Sequence, residues 1–241
     1  MRQRVIIALG AFLLLGMQSS YLQTYTTSFF RIKHEKSISS TEVSAFGKML
    51  ETSYAKYKKV FAVKPAGRVD VMYYSSPQLI KRESRIPVFD DGVFAGGKIY
   101  VATGYPLEGA KMQGMASRVA ARCVLNQIKS CPLWLAECYS LHAGNELWRF
   151  GAPVRPSMLS FADLAEDYSR AESADEFREV YAKLGATASF FIDRYGETKF
   201  QNVFTQLKSG RMFEEALEGA FGEKIDVIEK AWAKALVNPP K

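Results

Sequence analysis

The segment PLWLAECYS at residues 132–140 constrains the fold most strongly, because it places a single carboxylate inside an apolar helix. At helical spacing, Trp134, Glu137, Leu141 and Trp148 share one face, and their character predicts that this face is buried. A buried carboxylate is costly unless a cation, a metal ion or several hydrogen-bond donors contact it. The chain must therefore fold so that another element brings such a partner to Glu137.

The first 20 residues have the layout of a secretory signal peptide. Arg2 and Arg4 precede an uncharged apolar run at residues 5–17, and three small polar residues follow it. The run is shorter than the about 20 residues that a membrane span needs. We therefore predict export, to the periplasm or the extracellular space, with residues 1–20 as a signal peptide or an uncleaved membrane anchor. A buried N-terminal helix is the alternative.

Composition and charge exclude some classes of function. The 241-residue chain is 48% hydrophobic, which is enough for one substantial core. Its formal net charge is +7, but the basic runs at residues 56–59 and 81–85 are short. Neither run has the interleaved aromatic residues of a single-strand binder, so no nucleic-acid partner is expected.

Three cysteines, Cys123, Cys131 and Cys138, lie close together in the sequence. Export would allow one disulfide among them and leave one thiol, whereas burial as small apolar side chains is the alternative. Together with His142 they match no compact zinc module. Cys138 and His142 stand one helical turn apart, so a catalytic Cys–His pair is a further alternative.

Hydrophobic periodicity predicts an α+β fold with a small N-terminal mixed sheet and a helical C-terminal half. Strands are predicted at residues 24–34 and 69–74, and a hairpin at residues 92–103 that turns at Gly96 and Gly97. Predicted helices cover about residues 41–61, 110–128, 174–195, 200–209, 212–221 and 224–236, and another begins at Pro132. The domain at residues 21–241 then divides into a sheet-containing part, 21–104, and a helical part, 105–241.

Three groups of motifs occur in a recognisable order. The first contains KKVFAVKP, RVDVMYY and DDGVFAGGKIYVATG, the second contains VAARCVLNQI and CPLWLAECYS, and the third runs from YAKLGATASFF to Trp232. This order resembles the gluzincin zinc metallopeptidases, in particular the peptidase-MA-like family of exported bacterial proteins. The resemblance covers about residues 24–236 and implies the gluzincin core fold.

The family motif has a simple chemistry. Two histidines of His-Glu-x-x-His bind zinc from one helical face, and the intervening glutamate is the base for the metal-bound water. A glutamate in a Pro-x-Trp-Leu-x-Glu helix is the third protein ligand, and Glu137 matches that position. The sequence contains no His-Glu-x-x-His, however, and its only histidines are His34 and His142.

The resemblance places the degenerate motif at residues 118–122, between Arg118 and Arg122. Arginine offers no lone pair to a metal, and Val119 cannot act as a base. We therefore expect no catalytic residues, no metal and no cofactor, with Glu137 as the remnant of a ligand set. An active zinc metallopeptidase with non-standard ligands is the alternative.

The two arginines suggest what could replace the metal. We predict that Arg118 and Arg122, one helical turn apart, both face Glu137, because a guanidinium group can bind a carboxylate through two donors. The alternative is that both belong to a solvated basic stripe with Lys111 and Lys129.

The expected function is that of an inactive metallopeptidase homologue that binds a peptide or protein, or that belongs to an envelope assembly. A peptide could pair with an edge strand of the sheet. The sequence favours Lys98, Ile99, Tyr100 and Val101 for that strand.

Overall fold

The computed structural model describes residues 22–64, 67–84, 92–102, 109–147 and 160–237. Within them a five-stranded mixed sheet is followed by a largely helical C-terminal half, so the fold is α+β as predicted. The signal segment and the boundary between residues 104 and 105 lie outside the described residues. In the described part of the chain, no helix is both long enough and apolar enough to cross a bilayer.

The sheet has the spatial order β1-β2-β3-β5-β4. Its strands are β1 (Leu22–Thr26), β2 (Phe30–Glu35), β3 (Val69–Tyr74), β4 (Gly92–Ala95) and β5 (Lys98–Ala102). The central pairs β2–β3 and β3–β5 are parallel, whereas β1–β2 and β4–β5 are antiparallel hairpins. Gly96 and Gly97 have φ of 55° and 76°, as a two-residue hairpin turn requires.

Two predictions about strands need correction. The single strand predicted at residues 24–34 is the hairpin β1–β2, which turns where Thr27 Oγ1 accepts a hydrogen bond from Phe30 N–H at 3.1 Å. The residues predicted for an edge strand, Lys98 to Val101, belong to β5, which is an interior strand paired on both sides. The hairpin inserts its second strand beside β3, so the edge strands are β4 on this side of the sheet and β1 on the other.

The helices are α1 (Ser40–Val60), α2 (Pro77–Ser84), α3 (Gly109–Leu125), α4 (Leu133–Ala143), α5 (Phe161–Arg170), α6 (Ala174–Tyr195), α7 (Glu197–Lys208), α8 (Phe213–Phe221) and α9 (Ile225–Val237). Helices α2 and α5 were not predicted from the sequence. Ser39 and Ser173 are the N-caps of α1 and α6, and each accepts a hydrogen bond from the N–H three residues later. Pro132 is the N-cap of α4 and not its first residue.

The main core joins one face of the sheet to the helices. Phe30 and Tyr73 contact Tyr54 and Phe46 of α1, with ring centroids 5.2 Å apart in both pairs. Helix α3 packs beside α1, and α4 lies between α3 and α6. A smaller cluster under α2 contains Ile80 and covers the other side of the sheet.

Helix α4 is buried on every side, contrary to the expectation of a single buried face. All residues from Trp134 to Leu141 are buried, because α3, α5 and α6 surround the helix. Trp148, which was predicted to share the face of Glu137, lies outside the described residues. The helix that carries Glu137 is therefore central to the molecule.

Candidate functional site

Helices α3 and α4 approach each other through glycine. A Cβ atom added to Gly114 would lie 2.6 Å from the carbonyl oxygen of Gly144, and one added to Gly144 would lie 3.0 Å from Arg118 Cβ. Contacts this short require glycine, because no side chain fits between the two backbones. The glycines bring the buried face of α3, with both arginines, against α4 and the turn that follows it.

Arg122 and Glu137 form a buried ion pair. Arg122 Nε lies 2.9 Å from Glu137 Oε2, and the two residues are 5% and 7% exposed. The carboxylate in the middle of the apolar helix α4 thus has a cationic partner from the neighbouring helix. Arg122 is therefore the partner that the buried carboxylate of Glu137 requires, because it compensates the desolvated charge.

Tyr168 of α5 belongs to the same cluster. Burial would lower the pKa of Arg122, but the charge of Glu137, with help from Tyr168 and Tyr181, raises it above its ordinary value. Burial, together with the charge of Glu137, raises the pKa of Tyr168 to about 12, although Arg122 acts in the opposite direction. Arg122 is therefore a permanent cation in this cluster, and Tyr168 a neutral hydroxyl.

Arg118 has different partners. Its Nη1 lies 3.3 Å from Glu146 Oε2, and its Nη2 donates a hydrogen bond to the carbonyl oxygen of Gly92. Arg118 is 2% exposed and Glu146 is 9% exposed. Arg118 therefore ties α3 both to the turn after α4 and to the first residue of the edge strand β4.

The prediction that both arginines pair with Glu137 needs correction, because the structure divides them between two carboxylates. The ion pair of Arg122 is with Glu137, and that of Arg118 is with Glu146. The alternative of a solvated stripe does not describe them either. Lys111, in the first turn of α3, and Lys129, beyond its end, are exposed, whereas both arginines are buried in the second half of the helix.

The residues present do not fit a zinc ion of the family type. Arg118, Val119 and Arg122 offer no lone pair where the family has its motif, and Glu137 already binds Arg122. Among the described residues, no three His, Cys, Asp or Glu side chains are grouped as metal ligands. The charged side chains at this site therefore pair with one another and do not provide a set of metal ligands.

The other nucleophile candidates are also engaged or buried. Cys138 is fully buried, and burial raises the pKa of its thiol well above the ordinary value, which opposes formation of the reactive thiolate. Ser140 Oγ donates to the Ala136 carbonyl oxygen at 2.7 Å. His142 Nε2 lies 3.6 Å from Glu197 Oε1 on α7. All three cysteines are free thiols, with no disulfide among them.

The edge strand β4 lies beside this cluster. Ala95 and Lys98 flank the two-residue turn, so the backbone groups of Phe94 and Gly92 point away from β5. The Gly92 carbonyl accepts the hydrogen bond from Arg118. In the part of the chain that the structure describes, β4 pairs only with β5.

Two members of the cluster were missed in the sequence. Glu146 follows Asn145, whose φ of 56° turns the chain back over the end of α4. Tyr168 lies on α5, which has a readable signal at its start, because Ser160 and Asp163 form a capping box there. That signal could have revealed α5, although not the contact between Tyr168 and Arg122.

Comparison with known proteins supports the assignment of the fold. A search of curated proteins found no match. A family model described as peptidase MA superfamily matches residues 51–238, which is well over half of the chain. The match covers the sheet from β3 onward, helices α2 to α9 and about the last half of α1. This chain therefore belongs to the peptidase MA superfamily.

Proposed function

We propose that this protein is a catalytically inactive member of the peptidase MA superfamily that binds a peptide or a protein partner without cleaving it. The buried ion pair between Arg122 and Glu137 carries the proposal. It engages the one carboxylate at the family's third-ligand position, and it does so with a cation that cannot be deprotonated near neutral pH.

Zinc would have to compete with Arg122 for the carboxylate of Glu137. A zinc ion at Glu137 would have to displace a desolvated arginine and leave its charge unpaired inside the protein. It would also lack the two imidazole ligands, because arginines occupy their positions. The cluster thus substitutes an internal ion pair for the cross-link between helices that a metal supplies in the family.

The edge strand supplies one route to peptide binding. The outward N–H and C=O of Phe94 are available for a strand that adds to β4, as in other cases of recognition by an added strand. Arg118 occupies the carbonyl of Gly92, so the available edge is short. Such pairing would hold a peptide but provides no group to hydrolyse it.

We also propose that the protein acts outside the cytoplasm, in the cell envelope or beyond it. The basic start and the apolar run at residues 5–17 support this proposal. Fractionation of cells that express the full chain, compared with a variant lacking residues 1–20, would test it. Retention of both proteins in the cytoplasm would contradict export.

The test of inactivity is the metal content of the purified full-length protein. The protein is dialysed against buffered zinc and then against metal-free buffer. We expect inductively coupled plasma mass spectrometry to find far less than one zinc ion per chain. We also expect no chelator-sensitive cleavage of unfolded protein substrates. Both results follow from the donor set at residues 118–122 and Glu137.

The matched variant is Glu137→Gln, which keeps the shape of the side chain and removes its charge. Stoichiometric zinc in the parent protein that is lost in Glu137→Gln would overturn the proposal. Chelator-sensitive cleavage that is lost in the same variant would do so as well, in favour of a metallopeptidase with unusual ligands.

A further inference from the structure

A second feature of the helical half is a groove of about 790 Å³ at the N-terminal ends of four helices. Its walls include Leu133 and Trp134 of α4, Phe161 of α5, Phe213 of α8 and Ile225 of α9. We call it the aromatic groove. Tyr168, which interacts with Arg122, also lines this groove.

The aromatic walls are fixed by their own packing. Trp134 stacks on Phe161 with ring centroids 5.6 Å apart, and it meets the edge of Phe213 at 5.5 Å. Phe161 in turn contacts Trp232 in the core at 4.8 Å. A groove built from interlocked core rings is formed before any ligand arrives, which lowers the entropic cost of binding.

Apolar side chains at the rim are exposed to solvent. Met212 and Leu133 are 71% and 54% exposed, which makes them the most exposed large hydrophobic residues in the described part of the chain. Leu133 lines the groove, and Met212 directly precedes Phe213. Exposed apolar surface that adjoins an apolar groove is typical of an interaction site.

The charged side chains at the groove are acidic. Among the described residues that line it, the charged ones are Glu214 and Glu229, although the chain as a whole carries a net charge of +7. Glu229 Oε1 is held at the rim because it accepts a hydrogen bond from Phe161 N–H at 2.8 Å. Glu214 is exposed and forms no ion pair or hydrogen bond with another described residue.

The helix dipoles do not reverse this sign. Each of the four N-termini contributes about half a positive charge. Carboxylates in the first turns, namely Asp163, Glu214, Glu215 and Asp226, together with Glu229, outnumber them. Asp226 is paired with Lys230, so it is Glu214 and Glu229, which line the groove itself, that favour a cationic ligand over an anionic one.

We propose that the aromatic groove docks an amphipathic segment of a partner protein, one that presents a bulky apolar side chain flanked by lysine or arginine. The apolar anchor would lie in the groove against Leu133 and Phe213, and the flanking cations would lie near Glu214 and Glu229. This site deepens the proposed binding function and rests on it, because it names where and what the protein binds.

Two other occupants fit the charges less well. A second copy in a two-fold contact would bring two acidic rims together, and like charges would repel each other. An anionic membrane surface would be repelled by the same carboxylates. A segment of a different protein that is both basic and apolar complements the acidic rim and the apolar walls of the groove.

Selection from a library of short, phage-displayed random peptides, followed by fluorescence anisotropy with the peptides recovered, tests the proposal. We expect recovered sequences to combine tryptophan, phenylalanine or leucine with lysine or arginine. Leu133→Ser and Glu214→Lys should each raise Kd about tenfold, and added salt should weaken binding. Substituting glutamate for the lysines or arginines of the peptide should weaken binding similarly.

The controls are Val60→Ser and Asp193→Lys, which change an exposed apolar residue of α1 and an exposed acid of α6 outside the groove. They should change Kd less than about twofold.

Failure to recover any peptide, recovery of acidic peptides, or equal binding by the groove variants would overturn the proposal. So would a dimer in sedimentation that Leu133→Ser dissociates, or binding to vesicles of phosphatidylglycerol that the same variant abolishes. None of these outcomes affects the metal content, so the two proposals fail separately.

Discussion

At the scale of the residue, a buried arginine–carboxylate pair has an asymmetric energetic role. The pair gives little net stability over apolar side chains of the same shape, since both charges lose their hydration. Removing only one partner is costly, because it strands the other charge inside the protein. Arg122 and Glu137 are both buried and 2.9 Å apart, so each depends on the other.

We predict that Glu137→Ala lowers the free energy of unfolding by about 3–5 kcal/mol, because it leaves the Arg122 charge buried and unpaired. Urea unfolding followed by circular dichroism measures this change. The control is Asp175→Ala, which breaks the exposed pair of Asp175 with Arg178 and should cost less than about 1 kcal/mol.

The double variant Arg122→Met with Glu137→Leu separates the cost of a stranded charge from loss of packing. It should recover most of the stability that Glu137→Ala loses, since it leaves neither charge buried. A single variant as stable as the parent protein, or a double variant no better than Glu137→Ala, would contradict the role assigned to the pair.

At the scale of the element, the close approach of α3 and α4 depends on glycine at Gly114 and Gly144. This approach decides which residues of α3 face α4. It also brings Arg118 beside the turn that carries Glu146. The helices were predicted from periodicity, but their separation was not, because it depends on backbone contacts between residues far apart in the chain.

We predict that Gly114→Ala lowers the free energy of unfolding by at least about 1 kcal/mol, although alanine favours helices. The added Cβ would lie 2.6 Å from a backbone oxygen, which cannot rotate away as a side chain can. Thermal unfolding measures the effect. Gly109→Ala on the same helix is the control, because its Cβ would meet nothing within 4 Å. Equal stability of the two variants would refute the close contact.

At the scale of the whole molecule, buried tyrosines couple the stability of the fold to alkaline pH. Burial raises the pKa of Tyr57, Tyr74 and Tyr168 to about 12, from the ordinary value of 10. These residues lie on α1, β3 and α5, so the effect involves both the sheet and the helical half.

We predict that the free energy of unfolding falls as pH rises from 10 to 12. In that interval the unfolded chain releases tyrosine protons that the native protein retains, so deprotonation favours unfolding. The contribution is present in full below pH 10 and is lost as pH passes the native pKa values. Urea unfolding at a series of pH values measures it, and Tyr168→Phe should make the decline shallower. A decline that this variant leaves unchanged would contradict the prediction for Tyr168.

Much of the architecture was predicted from local signals. The capping residues Ser39 and Ser173, the turn at Gly96 and Gly97, and the apolar spacing each act over a few neighbouring residues, and they fixed most helices and strands. The edge of the sheet was predicted wrongly, because strand order depends on pairing between distant segments. Helix α5 was missed although its capping box is local.

The sequence by itself determined that Glu137 needs a cation, a metal ion or several hydrogen-bond donors as partner, since a lone carboxylate in an apolar helix has no local means of compensation. It also determined that no histidine pair stands at the family's motif, because that fact depends on residue identity alone. Only the tertiary structure decided that Arg122 is that partner and that Arg118 binds Glu146 and Gly92. The choice depends on the separation of two helices and on the turn at Asn145, and neither is encoded by the spacing of residues along one helix.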